Sequence, residues 1–230
     1  MIGWRRDRDA REDETTMPDT TTTWRLIHAE RAALADTLEG LSPDQWAVPS
    51  LCDGWSVRLL AAHILAGAEQ TGPHFMLGMA ANGFRFNAMM RRDAQRLGAL
   101  TPADIVRRLR ARTTTTNHPP APVMAMLGEV VVHGEDLRRP LGLRADPSPE
   151  ATVACLDMYE TASFPVGGKK RITGLRLVAA DVGWSYGAGP EVSGPGLAVM
   201  LAMTGRPAGM TGLTGDGVEI LRGRLGPRSA

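Results

Sequence analysis

Residues 128–140 read GEVVVHGEDLRRP, and the two polar residues set into that run, Glu129 and His133, decide how the chain is read. Four residues apart on a helix, they lie on one face, one turn from each other. Met126, Val130 and Leu137 recur at the same helical period, so a carboxylate and an imidazole point where a core belongs. Burying either without a partner is costly. A divalent cation would remove that cost by neutralising the carboxylate and taking an imidazole nitrogen. A hydrogen-bonded pair that only packs, or a water-facing stripe, also accounts for the spacing, so a third donor is needed.

His63, in GWSVRLLAAHILAG, is the candidate. Ser56 has the place of an N-cap and Trp55 can staple onto Leu60, which predicts a helix running to about Gly72. His63 falls two turns in, among Leu59, Leu60, Ile64 and Leu65. A lone histidine on an apolar face is ordinarily a satisfied core residue. Two such anomalies on separate helices support each other, because facing helices of a bundle bring them together.

Around these helices the pattern predicts a mainly α chain. Residues 1–21 form a charge-dense tail expected to be disordered, with Met17 as an alternative start. A first amphipathic helix is predicted over about Thr23–Glu39, and Ser42 with Gln45 suggests a capping box for a short helix. The Met- and Phe-rich segment from Pro73 to Leu97 reads as a helix broken near Gly83, filling core or walling an apolar pocket. Thr101 caps a helix carrying Arg107, Arg108, Arg110 and Arg112, read as a solvated face rather than a nucleic-acid surface, since no aromatic residues interleave. The Glu129 helix spans about Pro122–Pro140, with Arg138 and Arg139 suiting its C-terminal dipole. Ser148 and Pro149 open another helix to about Ser163. Beyond Pro165 the expectation is a small α+β unit over 166–230: ITGLRLVAAD and VGWSYG as strands, GPGLAVMLAMTG as a helix and DGVEILRGR as a closing strand. GAGPEVSGPG reads as turns, because Val192 stands where a dinucleotide fingerprint needs its third glycine.

The 230 residues can bury a full core. A net charge of +1 gives no global attraction to nucleic acid or anionic membranes. No apolar run approaches the ~18 residues of a membrane span, and two cysteines make no disulfide framework, so a soluble cytoplasmic protein, monomer or homodimer, is expected. Cys52, in the loop before the His63 helix, reads as a packed thiol with a thiolate role as the alternative; Cys155 reads as core.

Three stretches carry a resemblance: LSPDQWAVPSLCDGWSVRLLAAHI at 41–64, GEVVVHGEDLRRPLG at 128–142, and GLRLVAADVGWSYGAGPEVSGPGLAVMLAMTGRP at 174–207. Together the chain resembles the mycothiol-dependent maleylpyruvate isomerase family from about Thr22 onward. The resemblance implies a DinB-like metal-binding four-helix bundle over 22–165, followed by a short sterol-carrier-like domain. It also implies that His63, Glu129 and His133 are the metal ligands and that mycothiol is the thiol cosubstrate.

Two histidines and one glutamate are the donor set of a catalytic zinc, leaving a position open, although nickel, iron or manganese would suit the same ligands. A thiol in that position would be held as thiolate. The metal-activated thiolate would then attack a small electrophile, as an isomerase of maleylpyruvate type or as an S-transferase. Arg85 and Arg206 are candidates for binding a di-acid substrate, with surface salt bridges as the plainer reading. Against this stand a non-catalytic metal-containing ligand-binding or stress-response protein of DinB-like fold, and a metal-dependent hydrolase lacking an identifiable general base.

Overall fold

The computed structural model describes residues 17–225, apart from 145, 164 and 165. Residues 1–16 of the tail expected over 1–21 lie outside the described residues, and its last two, Thr20 and Thr21, are helical instead.

Helix α1 (Thr20–Glu39) starts where Asp19 accepts a hydrogen bond from the Thr22 N–H at 2.7 Å, slightly ahead of the expected start. Gln45–Ala47 form a 3₁₀ turn rather than a full helix, closed by the Ser42 N–H donating to Gln45 Oε1 at 2.9 Å. Ser56 caps α2 (Val57–Glu69) by accepting from the Leu59 N–H. The next segment divides into α3 (Gly72–Ala81) and α4 (Phe86–Gly98) at Gly83, whose φ is +60°, and Phe84, at φ +58°. Thr101 and Ser148 cap α5 (Pro102–Arg110) and α7 (Pro149–Thr161) as their sequences predict; α6 (Val123–Arg138) lies between. Such a cap is worth about 1 kcal/mol.

Helices α1, α2, α5 and α6 form the bundle, with α4 laid along α2. Its core holds Ile27, Leu34 and Leu38 of α1, Leu60 and Leu65 of α2, Ile105 and Leu109 of α5, and Leu127 and Val131 of α6, all buried. Each such side chain contributes roughly 1.5–3 kcal/mol by leaving water. Two arginines of α5 bind acids of neighbouring helices: Arg108 grips Glu69 of α2 at 2.6 and 3.0 Å, and Arg110 pairs with Asp36 and Glu39 of α1. Arg138, in the last turn of α6 as expected, is buried at 2% exposure, donating to Thr37 Oγ1 and facing Glu135, so it is a core cation as well. Helix α3 buries none of its residues, and Met76, Leu77, Phe84 and Phe86 are exposed; of the expected Met- and Phe-rich filling, only Met89 is buried.

The remaining chain forms α8 (Gly168–Ile172), β1 (Arg176–Ala179), β2 (Trp184–Gly187), β3 (Glu191–Ser193), α9 (Gly196–Met203) and α10 (Val218–Arg224). The sheet order is β2-β1-β3, with β1 antiparallel to β2 and parallel to β3. Two expectations are corrected here. DGVEILRGR supplies α10, not a strand: Val218 and Leu221 are buried at a spacing of three while Ile220 is exposed, so the helical period outweighs the alternating one. The supposed turns at GAGPEVSGPG contain β3, where Val192 alone is inward-facing. Buried α9 packs between α7 and the sheet, and a single apolar cluster runs from Trp24 to Leu221. Gly205, at φ +85°, turns the chain out of α9, and Gly209 packs so closely on α9 that a Cβ there would lie 2.5 Å from Ala202 N. That turn carries Arg206 towards α6. No helix among the described residues is long and apolar enough to cross a membrane.

Candidate metal centre

α2 and α6 lie side by side and bring His63 to Glu129 and His133. His63 Nε2 stands 3.6 Å from Glu129 Oε1, and the His63 and His133 rings meet edge-to-face with centroids 5.2 Å apart. Trp55 also packs edge-to-face with His63, again at 5.2 Å, rather than serving only as a staple. The His63–Glu129 separation lies within charge-contact range but is too long for a hydrogen bond. Burial, and then the His133 charge, push the His63 imidazole down to about 3, so it is neutral and the contact is not an ion pair. Burial pushes the Glu129 carboxyl up, against the opposing pull of His133 and Arg31. Buried Glu129 Oε1 and His63 Nδ1 have no hydrogen-bond partner among the described residues.

The space for that carboxylate is made by a glycine. A Cβ on Gly67, one turn after His63 on α2, would sit 2.7 Å from Glu129 Oε1. Nearby, the α1 guanidinium of Arg31 is held by the Thr115 carbonyl at 3.2 Å and stacks over Trp24. The side chains of Glu129 and His133 are 20% and 21% exposed, so the site opens to solvent on one side.

Behind His133 lies a second group of polar residues. Fully buried Asp136, one turn on, accepts from His133 Nδ1 at 2.9 Å through Oδ2, from Arg206 Nη2 and Nε at 2.8 and 3.2 Å, and from the Cys52 thiol at 3.3 Å. Burial would raise the Asp136 carboxyl, but the His133 hydrogen bond and the charge and hydrogen bonds of Arg206 outweigh it and hold the group well below the usual carboxylate range. Burial and Asp136 push the Cys52 thiol up to about 12.

Among the described residues, Cys52, His133 and Asp136 are the three metal-capable side chains whose donor atoms all lie within 4.8 Å of one another; His63, Glu129 and His133 are neighbours but not drawn together to that degree. One observation argues against a cation in the tighter cluster: Arg206 already supplies a positive charge to Asp136. The looser trio has the unpartnered oxygen.

The arginine candidates separate. Arg85 is exposed at the start of α4 and donates no side-chain hydrogen bond to any described residue. Arg206 reaches the centre but through Asp136, and its Nη1 donates to the Thr204 carbonyl at 2.9 Å. Asp136 and Gly67 are absent from the sequence-based candidates. Asp136 sits three residues after His133 on the same helical face, and Gly67 four after His63, so both were marked by the period that marked the histidines.

Residues 27–118 match the mycothiol maleylpyruvate isomerase N-terminal domain family, a span that includes His63 and stops before Glu129. The fold is similar to two crystal structures, of mycothiol-dependent maleylpyruvate isomerase and of a histidine-to-alanine mutant of it, with TM-scores of 0.63 and 0.62. In both, identity is 16%, with 93% of this chain and 97% of the other covered. No curated protein matches the chain. Residues 27–118 thus match the mycothiol maleylpyruvate isomerase N-terminal domain, and the chain as a whole shares the fold of the solved maleylpyruvate isomerase structures along nearly its whole length.

Proposed function

We propose that this chain is a divalent-metal-dependent enzyme that uses mycothiol against a small electrophile, as an isomerase or an S-transferase, with His63, Glu129 and His133 as the metal ligands. The observation that carries this reading is the buried, unpartnered Glu129 Oε1 facing a neutral imidazole, in a space that Gly67 leaves clear. An orphaned carboxylate oxygen beside two imidazoles is costly in a protein interior and favourable beside a dication. Zinc fits this donor set best. When bound, it would supply Lewis acidity that lowers the pKa of an incoming thiol.

The chain's own residues do the rest. Glu129 brings the negative charge, His63 stays uncharged and so keeps a nitrogen lone pair, and Trp55 fixes its ring. The partial exposure of Glu129 and His133 leaves room for ligands from the solvent side. Arg206 spends three of its five N–H groups on Asp136 and Thr204, and the remaining two can meet a substrate carboxylate. Arg85 would have to approach from the exposed hairpin between α3 and α4.

The test is elemental analysis of the protein as isolated, followed by maleylpyruvate turnover with mycothiol and metal each added or withheld. The proposal expects bound divalent metal, turnover dependent on both, and sharply lower metal content in His63→Ala, Glu129→Ala and His133→Ala with melting temperatures near the parent's. Unchanged occupancy in these variants overturns the ligand assignment. Metal-dependent turnover without thiol would make the protein a hydrolase, and metal binding with no thiol dependence a binding protein.

A further inference from the structure

The geometry points to Asp136 as a positioning residue: clamped by Arg206, it fixes His133 as the Nδ1–H tautomer and so presents Nε2 to the space shared with His63 and Glu129. This rests on the proposed metal site for its purpose but not for its geometry.

Asp136 Oδ2 lies 2.9 Å from His133 Nδ1. An ionised carboxylate can only accept, so the nitrogen against it must carry the proton. A neutral imidazole has one N–H, and with Nδ1 protonated the lone pair falls on Nε2. Arg206 keeps the carboxylate in its accepting form: Nη2 and Nε donate to Oδ2 and Oδ1 at 2.8 and 3.2 Å, a two-point grip that also fixes the carboxylate plane. Cys52 supplies a further donor to Oδ2 at 3.3 Å, and the Leu51 N–H donates to the Asp136 carbonyl at 2.9 Å. The loop before α2 and the turn after α9 thus close on one buried acid of α6. Nothing about packing alone calls for a fully buried aspartate to be held by three side chains; an apolar residue would serve a core better. Its arrangement is that of a carboxylate that sets a ligand histidine's tautomer.

Asp136→Asn tests this, since the side-chain shape is kept while the amide nitrogen can donate to Nδ1 and reverse the tautomer. The first readout is the ¹⁵N spectrum of the histidine side chains in metal-free protein, recorded at a pH high enough that the imidazoles are neutral. The parent is expected to show His133 protonated at Nδ1, and the variant protonated at Nε2. The second is Zn²⁺ affinity by chelator competition, expected to fall about 10–100-fold in the variant. Arg206→Lys, which keeps the charge but loses the two-point grip, should shift the same signals less. The proposal is overturned if His133 keeps its tautomer in Asp136→Asn, or if the tautomer reverses while Zn²⁺ affinity stays within about twofold. If the parent binds no divalent metal, the metal site fails, while a tautomer that follows Asp136 upholds the positioning role on its own. Should Asp136→Asn fail to fold, Arg206→Lys decides by the same two signals, and no change in either counts against the proposal.

Discussion

Replacing Gly67 with alanine sets two effects of opposite sign against each other. On α2, alanine is favoured over glycine by up to about 1 kcal/mol, so the metal-free protein should melt at or above the parent's temperature. The new methyl, however, would stand 2.7 Å from Glu129 Oε1, where ordinary contact begins at 3.4 Å. The end of the glutamate can swing aside at little cost to the fold, retreating by about 0.7 Å. Metal–oxygen bonds tolerate about 0.2 Å. The carboxylate is therefore lost as a ligand, and Zn²⁺ affinity should drop at least ~100-fold, or about 2.8 kcal/mol at 1.4 kcal/mol per decade. Differential scanning calorimetry of the metal-free protein and chelator competition with Zn²⁺ read the two effects separately. A Gly67→Ala protein that binds Zn²⁺ within about threefold of the parent would refute the reasoning, because it would mean that the Glu129 oxygen facing Gly67 is not the one that holds the metal.

Cys52→Ala should leave metal content and turnover nearly unchanged, and Cys52 in the parent should alkylate slowly at neutral pH, since burial and Asp136 hold it as a thiol; rapid labelling, or a dead variant, would assign the thiol a reactive role. Burial, and then the Asp157 charge, push the Glu160 carboxyl up to about 7 from 4.5. Because the folded value is the higher one, its contribution to stability is complete below 4.5 and lost as pH rises through about 7. Glu160→Gln should thus melt with the parent in acid and above it in mild alkali, and a melting difference that stays constant across that window would count against this.

The helices of the bundle were legible because their signals are local. Ser56, Thr101 and Ser148 each precede an apolar period and each accepts the expected N–H. β3 was not, because one inward Val192 carries no pattern; the strand exists through its pairing with β1 and the bridge from Ser193 to Thr214. The apolar residues of α3 suggested core by composition, but no element lies over Met76 and Leu77 among the described residues. At the candidate site, the meeting of His63 with Glu129 was readable from two anomalies on helical faces. For Arg206 the sequence offers a substrate binder or a surface salt bridge, but its grip on buried Asp136 is not readable there, since it joins residues 70 apart through a turn set by Gly205 and Gly209.

That separation matters while the chain is being made. At roughly 5–20 residues per second, some 4–14 seconds pass between the synthesis of Asp136 and that of Arg206. Until then the nascent α6 carries an acid with no counter-charge to accompany it into the interior. The ribosome can release a nearly complete bundle, but the imidazole of His133 gains its fixed orientation only when a much later segment docks. Maturation of this centre is thereby tied to completion of the fold around it, and a chain stalled in between would display helices without a competent site.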